Sequence, residues 1–312
     1  MNKILIICGP TATGKTALAL SLAKQFDGEL ISADSRQIYR GLDTITGKDI
    51  PKDAKMEQRG QARVYIIKGI PLWMYDAVEM DEEFSVSRYR NLALPIISDI
   101  HRRQKLPIIV GGTGLYIDAL VKRFDTFAIP PDLRLRQTLN MLSPGDLQKK
   151  LARTDHPKWK RLNESDRNNP RRLVRAIEVA LWKDKHTPVE QGKARSFDAL
   201  WIGLAMPIAK LVQKIRERVN YRWEHGAAEE GKNFFHTSGS WQHPSTSAIC
   251  LEEIHAFCSG TMSKNEAKAH WASREIAYAK RQMTWFKKKK DICWFDVSDA
   301  RYRRSVTLKV AP

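Results

Sequence analysis

The chain has 312 residues, 42% of them hydrophobic and 28% charged, a balance that fits a folded globular protein with enough apolar residues for a full core. Lys and Arg number 53 against 35 Asp and Glu, so the net charge is +18, which suits a protein that meets a polyanion. No apolar run approaches the ~20 residues of a membrane span. The four cysteines, with no Cys-x-x-Cys pair and no histidine at zinc-ligand spacing, argue against a disulfide scaffold or a structural zinc. A reduced, cytoplasmic protein with no membrane partner is expected.

In chain order, residues 4–8 are continuously apolar and run into Gly9-Pro10, too short for a signal peptide or an anchor and suited to a buried strand. A glycine turn follows, and residues 17–23 are good helix formers. Residues 30–33 read as a second buried strand and residues 106–112 as a third, with helix-like segments between them. Buried strands alternating with helices predict a parallel sheet covered on both faces. After about residue 121 the character changes. Pro130-Pro131 marks a boundary, residues 134–183 are helix-patterned and basic, and residues 201–205 return to a strand pattern. The basic helices therefore read as an insertion into the sheet domain. Helical patterns resume from residue 208 to about 286, interrupted by a Gly/Ser/His/Pro stretch at 236–244, and residues 287–290, four lysines, read as a solvated turn. The charge is uneven: residues 1–125 carry 18 basic and 15 acidic side chains, residues 126–312 carry 35 and 20.

Gly9-Pro10-Thr11-Ala12-Thr13-Gly14-Lys15-Thr16 fits G-x-x-x-x-G-K-[ST] and stands where that pattern must, after a strand and opening a helix. Its backbone N–H groups and the helix N-terminus face an anion, Lys15 adds a point charge, and the Thr16 hydroxyl can bind Mg²⁺. The motif predicts a bound di- or triphosphate. GTPase chemistry is disfavoured, since no Asp has Gly three positions later and no Asn-Lys-x-Asp occurs. A small-molecule kinase stays open. At the end of the second strand Asp34 puts a carboxylate at the usual active-site edge of such sheets, where it serves either in the site or as the N-cap of a following helix.

Three segments resemble the tRNA dimethylallyltransferases (isopentenyl-tRNA transferases) of bacterial type: residues 9–16, Ile31-Ser32-Ala33-Asp34-Ser35-Arg36-Gln37-Ile38-Tyr39-Arg40-Gly41-Leu42-Asp43, and Val110-Gly111-Gly112-Thr113-Gly114-Leu115-Tyr116. So do residues 166–179, Asp-Arg-Asn-Asn-Pro-Arg-Arg-Leu-Val-Arg-Ala-Ile-Glu-Val, and Tyr278-Ala279-Lys280-Arg281-Gln282-Met283-Thr284-Trp285-Phe286. The chain departs from the family pattern at residues 43–49, 72–76 and 248–252. The resemblance implies an α/β fold: a P-loop NTPase-like parallel sheet flanked by helices, with a mainly helical insertion domain. Residues 1–121 and about 200–312 would form the catalytic core with its C-terminal helices, and about 122–199 a helical tRNA-binding insertion.

It also implies a transferase that moves a dimethylallyl group from dimethylallyl diphosphate to the exocyclic amine of the adenine 3′-adjacent to the anticodon, with Mg²⁺ and without ATP. Gly9, Thr11, Ala12, Thr13, Gly14, Lys15 and Thr16 would hold the diphosphate, Thr16 carrying the metal. Asp34 would be the base, Thr113 would line the reaction channel, and Arg218 would clamp the leaving group. Asp34, Ser35, Arg36, Gln37 and Thr113 would meet the turned-out base, and Arg134, Arg171, Arg172, Arg175, Lys280 and Arg281 the RNA backbone. The expected partners are dimethylallyl diphosphate and the anticodon stem-loop of tRNA, bound by a monomer. A P-loop small-molecule kinase and an RNA-binding protein with a vestigial phosphate loop are the alternatives.

Overall fold

Ile4, Ile6 and Cys8 point to one face of the first strand, Leu5 and Ile7 to the other, and all five are buried. A strand apolar on both faces belongs inside a sheet covered on both sides. The computed structural model describes residues 2–122, 124–186, 197–238 and 250–311 and has this strand there. The strands are β1 (Lys3–Cys8), β2 (Gly28–Ser32), β3 (Lys55–Arg59), β4 (Ala62–Ile67), β5 (Ile70–Trp73), β6 (Leu106–Gly111), β7 (Asp198–Ala205) and β8 (Ile292–Asp296). They form one sheet in the order β3-β4-β5-β2-β6-β1-β7-β8.

From β5 to β8 all neighbours are parallel. The helix Lys15–Gln25 covers the Leu5 and Ile7 face with Leu18 and Leu22. The helix Val86–Arg102 covers the opposite face with Tyr89, Ala93, Ile97 and Ile100, a stripe at helical spacing. The fold class is the expected one, a mostly parallel sheet flanked by helices.

The sheet also departs from expectation. Between β2 and β6 helix-like segments were anticipated, and Val86–Arg102 is one, but residues 55–73 form an antiparallel meander instead. Its second turn, Lys68-Gly69, has φ of 52° and 79°, the two left-handed residues that close a tight hairpin. The far edge of the sheet, β8, had no counterpart in the sequence reading. Nor is the lysine run simply solvated: Lys289 pairs with the buried Asp118 and stands 4.6 Å from the Trp201 ring centroid.

Cα packing separates two compact units, Met1–Val121 with Ser196–Pro312, and Lys122–Arg195. In the first, the helices Ile208–Arg222, Ala228–Ser238, Leu251–Cys258 and Lys264–Phe286 enclose a second core around Ile215, Val219 and Trp271. The last begins with a capping box, Ser263 with Glu266. Of the 236–244 stretch, residues from 239 onward lie outside the described residues. The second unit is built from short helices, Leu133–Asn140, Pro144–Thr154, His156–Arg161, Glu164–Arg167 and Pro170–Lys185. Each starts on a side-chain cap, respectively Asp132, Ser143, Asp155, Asn163 and Asn169. The core of this unit is Leu139, Leu147, Leu151, Leu173, Val174 and Ile177. Among the described residues no helix is long and apolar enough to cross a membrane.

Candidate active site

Parallel register brings the site together. Cys8 stands opposite Gly111 and Ser32 opposite Val110, so β1, β6 and β2, adjacent in the sheet, end level with one another. The loops after these strands share the carboxyl edge, where ligands bind in open α/β sheets. They open on a cavity of about 750 Å³, in the range of a small-molecule site.

The first loop is the glycine-rich one. Gly9 has φ of 137° and passes so close to the Leu204 carbonyl that a side chain there would collide. Ala12 and Gly14 are also left-handed, at 63° and 78°, and the Thr13 hydroxyl donates to the Pro10 carbonyl at 2.9 Å. The helix Lys15–Gln25 starts with no side-chain cap, which leaves its first N–H groups open to an anion. Thr11, Ala12, Gly14, Lys15 and Thr16 line the cavity, whereas Gly9 and Thr13 shape the loop from outside it. The Lys15 ammonium is folded back onto the Pro10 carbonyl at 2.7 Å. Burial, and then the Arg218 charge, bring its pKa down from 10.5 to about 8, with Asp34 opposing.

After β2 no helix follows Asp34, so the N-cap alternative fails. Its Oδ1 accepts instead from the Arg36 N–H at 2.9 Å, a tight local turn that directs the residue into the cavity lining. Arg36 and Gln37 line the cavity too. Gln37 is already engaged: it accepts from the Ser32 hydroxyl at 3.2 Å and donates to the Gly47 carbonyl at 3.0 Å. Ser35 and Thr113 lie outside the lining, with the Ser35 N–H donating to the Thr113 hydroxyl at 3.1 Å. Thr113 in turn donates its N–H to the Ala33 carbonyl at 3.1 Å. In this structure Thr113 ties the loop after β6 to the loop after β2.

Arg218 reaches across from the helix Ile208–Arg222. Its Nη1 donates to the Thr11 hydroxyl at 2.9 Å, and its Nη2 to the Gly47 carbonyl at 3.1 Å and to Asp49 at 2.7 Å. The divergent loop 43–49 is pinned from beneath by Lys48, a buried lysine that donates to the Tyr39 carbonyl at 2.8 Å and pairs with Asp43 and Asp76. Asp76 comes from the second divergent segment, 72–76. In the third, Ala248 and Ile249 lie outside the described residues.

Two residues inside the quoted motifs were not anticipated as site residues. Gln282, 5% exposed, accepts from the Thr11 N–H at 2.9 Å and donates to the Gly112 carbonyl at 3.1 Å, joining the phosphate loop to the loop after β6. Gly112 has to be glycine because a Cβ would strike the Gln282 amide. Tyr278, one turn earlier, lines the cavity within hydrogen-bonding reach of Thr113 and Gln282. Burial, and next the Asp34 charge, push its phenol up to about 12. The motif Tyr278-Ala279-Lys280-Arg281-Gln282 held this signal at spacing i and i+4, one face of a helix.

The other cationic residues stand away from the cavity lining. Lys280 and Arg281 are exposed, Arg281 being 5.8 Å from the Tyr278 ring centroid. Arg134 and Arg171 are exposed, and Arg172, also exposed, pairs with Asp166. Arg175 is half-buried and committed to its own unit: its Nη2 donates to the Thr126 and Ile129 carbonyls at 2.8 and 2.9 Å, and it pairs with Glu178.

The IPP transferase family profile matches residues 37–289. The tRNA dimethylallyltransferase of Anoxybacillus flavithermus is 35% identical over 301 residues, covering 96% of this chain and 91% of that one. That of Halalkalibacterium halodurans is 33% identical, covering 98% and 94%. A crystal structure of a tRNA isopentenylpyrophosphate transferase from Bacillus halodurans superposes with a TM-score of 0.69 at 31% identity, covering 99% of this chain and 94% of that one. A eukaryotic dimethylallyltransferase acting on tRNA reaches 0.79 at 26% identity, covering 99% and 78%. On the strength of a profile match over most of its length and of relatives more than 30% identical from end to end, this chain belongs to the IPP transferase family.

Proposed function

We propose that the chain is a tRNA dimethylallyltransferase whose reaction runs in the cavity at the carboxyl edge of β1, β6 and β2. The exocyclic nitrogen of the target adenine attacks C1 of the dimethylallyl group. The C1–oxygen bond breaks as the N–C bond forms, the electron pair leaves with the diphosphate, and the amine proton passes to Asp34. The observation that carries this reading is the meeting of Lys15, Thr16, Arg218 and Asp34 in one cavity. Cationic and N–H donors stand where the leaving group gains charge, and a carboxylate stands beside them to take the proton. Neither the kinase nor the vestigial-loop alternative is favoured by the kinship reported above.

Within this reading the open N–H groups of residues 14–16 and the Arg218 guanidinium hold the diphosphate, and Lys15 turns from the Pro10 carbonyl to meet it. Gln282 and Thr113 act by position, keeping the three loops in register. The donor set suits Mg²⁺, which takes one or two protein oxygens and completes its shell from phosphate and water. The Thr16 hydroxyl would hold it, and when bound it would offset charge on the departing diphosphate. For the nucleic acid we propose the anticodon stem-loop, bound by a monomer in the cytoplasm. Asp34, Arg36 and Gln37 would lie nearest the base, and exposed Arg134, Arg171, Arg172, Lys280 and Arg281 would meet phosphates. Arg175 is left to brace its own unit.

The test is direct. Purified protein, Mg²⁺, labelled dimethylallyl diphosphate and unmodified tRNA with adenine 3′ to the anticodon are incubated without ATP, and the RNA is digested. Labelled prenyl-adenosine is the expected product. Binding of both substrates without transfer overturns the reading.

A further inference from the structure

Arg218 is not the only guanidinium at the cavity. Arg222, one helical turn further along Ile208–Arg222, also lines it, and so does Glu275 from the helix Lys264–Phe286. Both are among the most buried charged residues of the chain, 3% and 5% exposed. Arg222 Nη1 donates to Glu275 Oε1 at 2.7 Å, and the same oxygen accepts from the Trp271 indole at 3.0 Å. That contact fixes the guanidinium plane. It does not satisfy the pair, because Arg222 Nε and Glu275 Oε2 have no hydrogen-bond partner. The free edge of Arg222 lies against Gly47, where a Cβ would run into Nη2 of both Arg222 and Arg218. Two guanidiniums thus converge on one glycine at the rim of the phosphate-loop cavity.

Burying an arginine beside another arginine is costly, and one carboxylate contact only partly offsets it. Burial, and next the Arg218 charge, lower the pKa of Arg222. A polyanion in the cavity would relieve both the desolvation and the mutual repulsion. We propose that Arg222 is a second guanidinium contact for the diphosphate leaving group, preset by Glu275 and Trp271 and acting beside Arg218. The inference rests on reading this cavity as a diphosphate site. Arg222 Nη2 meets the phosphate oxygens, the glycine at position 47 leaves room for both cations, and Glu275 keeps Arg222 from swinging out when the site is empty.

The experiment measures inorganic pyrophosphate binding by calorimetry in the presence of Mg²⁺, on the parent chain and on Arg222→Met, with tRNA binding measured alongside. A lost charge-assisted contact to phosphate should weaken pyrophosphate about 10- to 100-fold and leave tRNA affinity unchanged. Because Arg222→Met alone strands a buried carboxylate, the double variant Arg222→Met with Glu275→Gln is measured too, and the same loss is expected there. Glu275→Gln alone keeps Arg222 and should lose thermal stability with only a few-fold change in pyrophosphate affinity. Pyrophosphate binding within twofold of the parent in a folded Arg222→Met or double variant overturns the proposal and leaves the pair a structural one. If the parent itself fails to bind pyrophosphate, the reading of the cavity falls first, and this proposal with it.

Discussion

The strand-end site and the basic helical unit both use arginine, and they use it in opposite ways. At the site each polar group is held by a partner far away in sequence: Arg218 by Thr11, and Gln282 by Thr11 and Gly112. In the unit Lys122–Arg195 the partners are local, as in Arg172 with Asp166, or absent from the cationic tip, as in the exposed Arg134 and Arg171. Transition-state stabilisation needs donors fixed before the charge develops, so long-range ties repay their entropy there. Holding an RNA backbone needs only positive charge within a screening length, so mobile surface arginines suffice.

The largest effect should come from the site. Asp34→Ala is expected to lower the single-turnover prenylation rate by about 10³-fold, the middle of the range for general-base removal, with tRNA affinity within about twofold of the parent. A rate that survives would mean the proton goes elsewhere. Next in size is a pH effect. Lys15 releases its proton at about 8, against 10.5 for an ordinary lysine. Its charge is therefore fully present well below pH 8 and lost above it. Pyrophosphate affinity, taken relative to a Lys15→Arg variant that stays charged, should fall by up to tenfold for each pH unit above about 8. Between about 8 and 10.5 the unfolded chain binds more protons than the folded one, so the contribution of Lys15 to stability rises with pH while ligand affinity falls. Flat relative affinity from pH 7 to 9.5 would break this account.

A smaller loss is expected from Gln282→Leu, which leaves the Thr11 N–H and the Gly112 carbonyl without their partner. The melting temperature should drop, and kcat should fall about tenfold through misplaced loops. The smallest effects belong to the basic unit. Arg134→Ala and Arg171→Ala should each weaken tRNA a few-fold, lower the salt slope by about 1, and change stability by less than about 0.5 kcal/mol. Arg175→Ala should do the reverse, destabilising the protein and sparing the salt slope. If Arg175 and Arg171 exchange these behaviours, the contrast between the two regions is wrong.

These differences also explain what could be read from the residues alone. The phosphate loop and Asp34 were legible because their chemistry lies in a few consecutive residues between a strand and the next element. The central strands were legible because burial on both faces leaves an unbroken apolar run. The meander was missed because β3 is exposed throughout and β4 only partly buried, so neither shows the apolar run that marked the others. Its hairpin turn at Lys68-Gly69 was the better signal. Gln282 and Arg222 could not be assigned because each acts on a loop more than 170 residues away, as Gln282 does on Thr11 and Gly112, or sits in a charged helix indistinguishable from a solvent face. The open question at Asp34 was decided by one local hydrogen bond from Arg36.

The central position of β1 also bears on synthesis. One of its edges pairs with β6, about 100 residues later, and the other with β7, where Lys3 stands opposite Asp198. At 5–20 residues per second a ribosome needs roughly 10 to 40 s to travel from one to the other. Throughout that interval an all-apolar strand has one bare edge, the most adhesive surface a nascent chain can show. The residues 122–195 that lie between β6 and β7 in sequence lengthen that exposure, so each added residue in this segment is a residue of delay before the catalytic sheet can close.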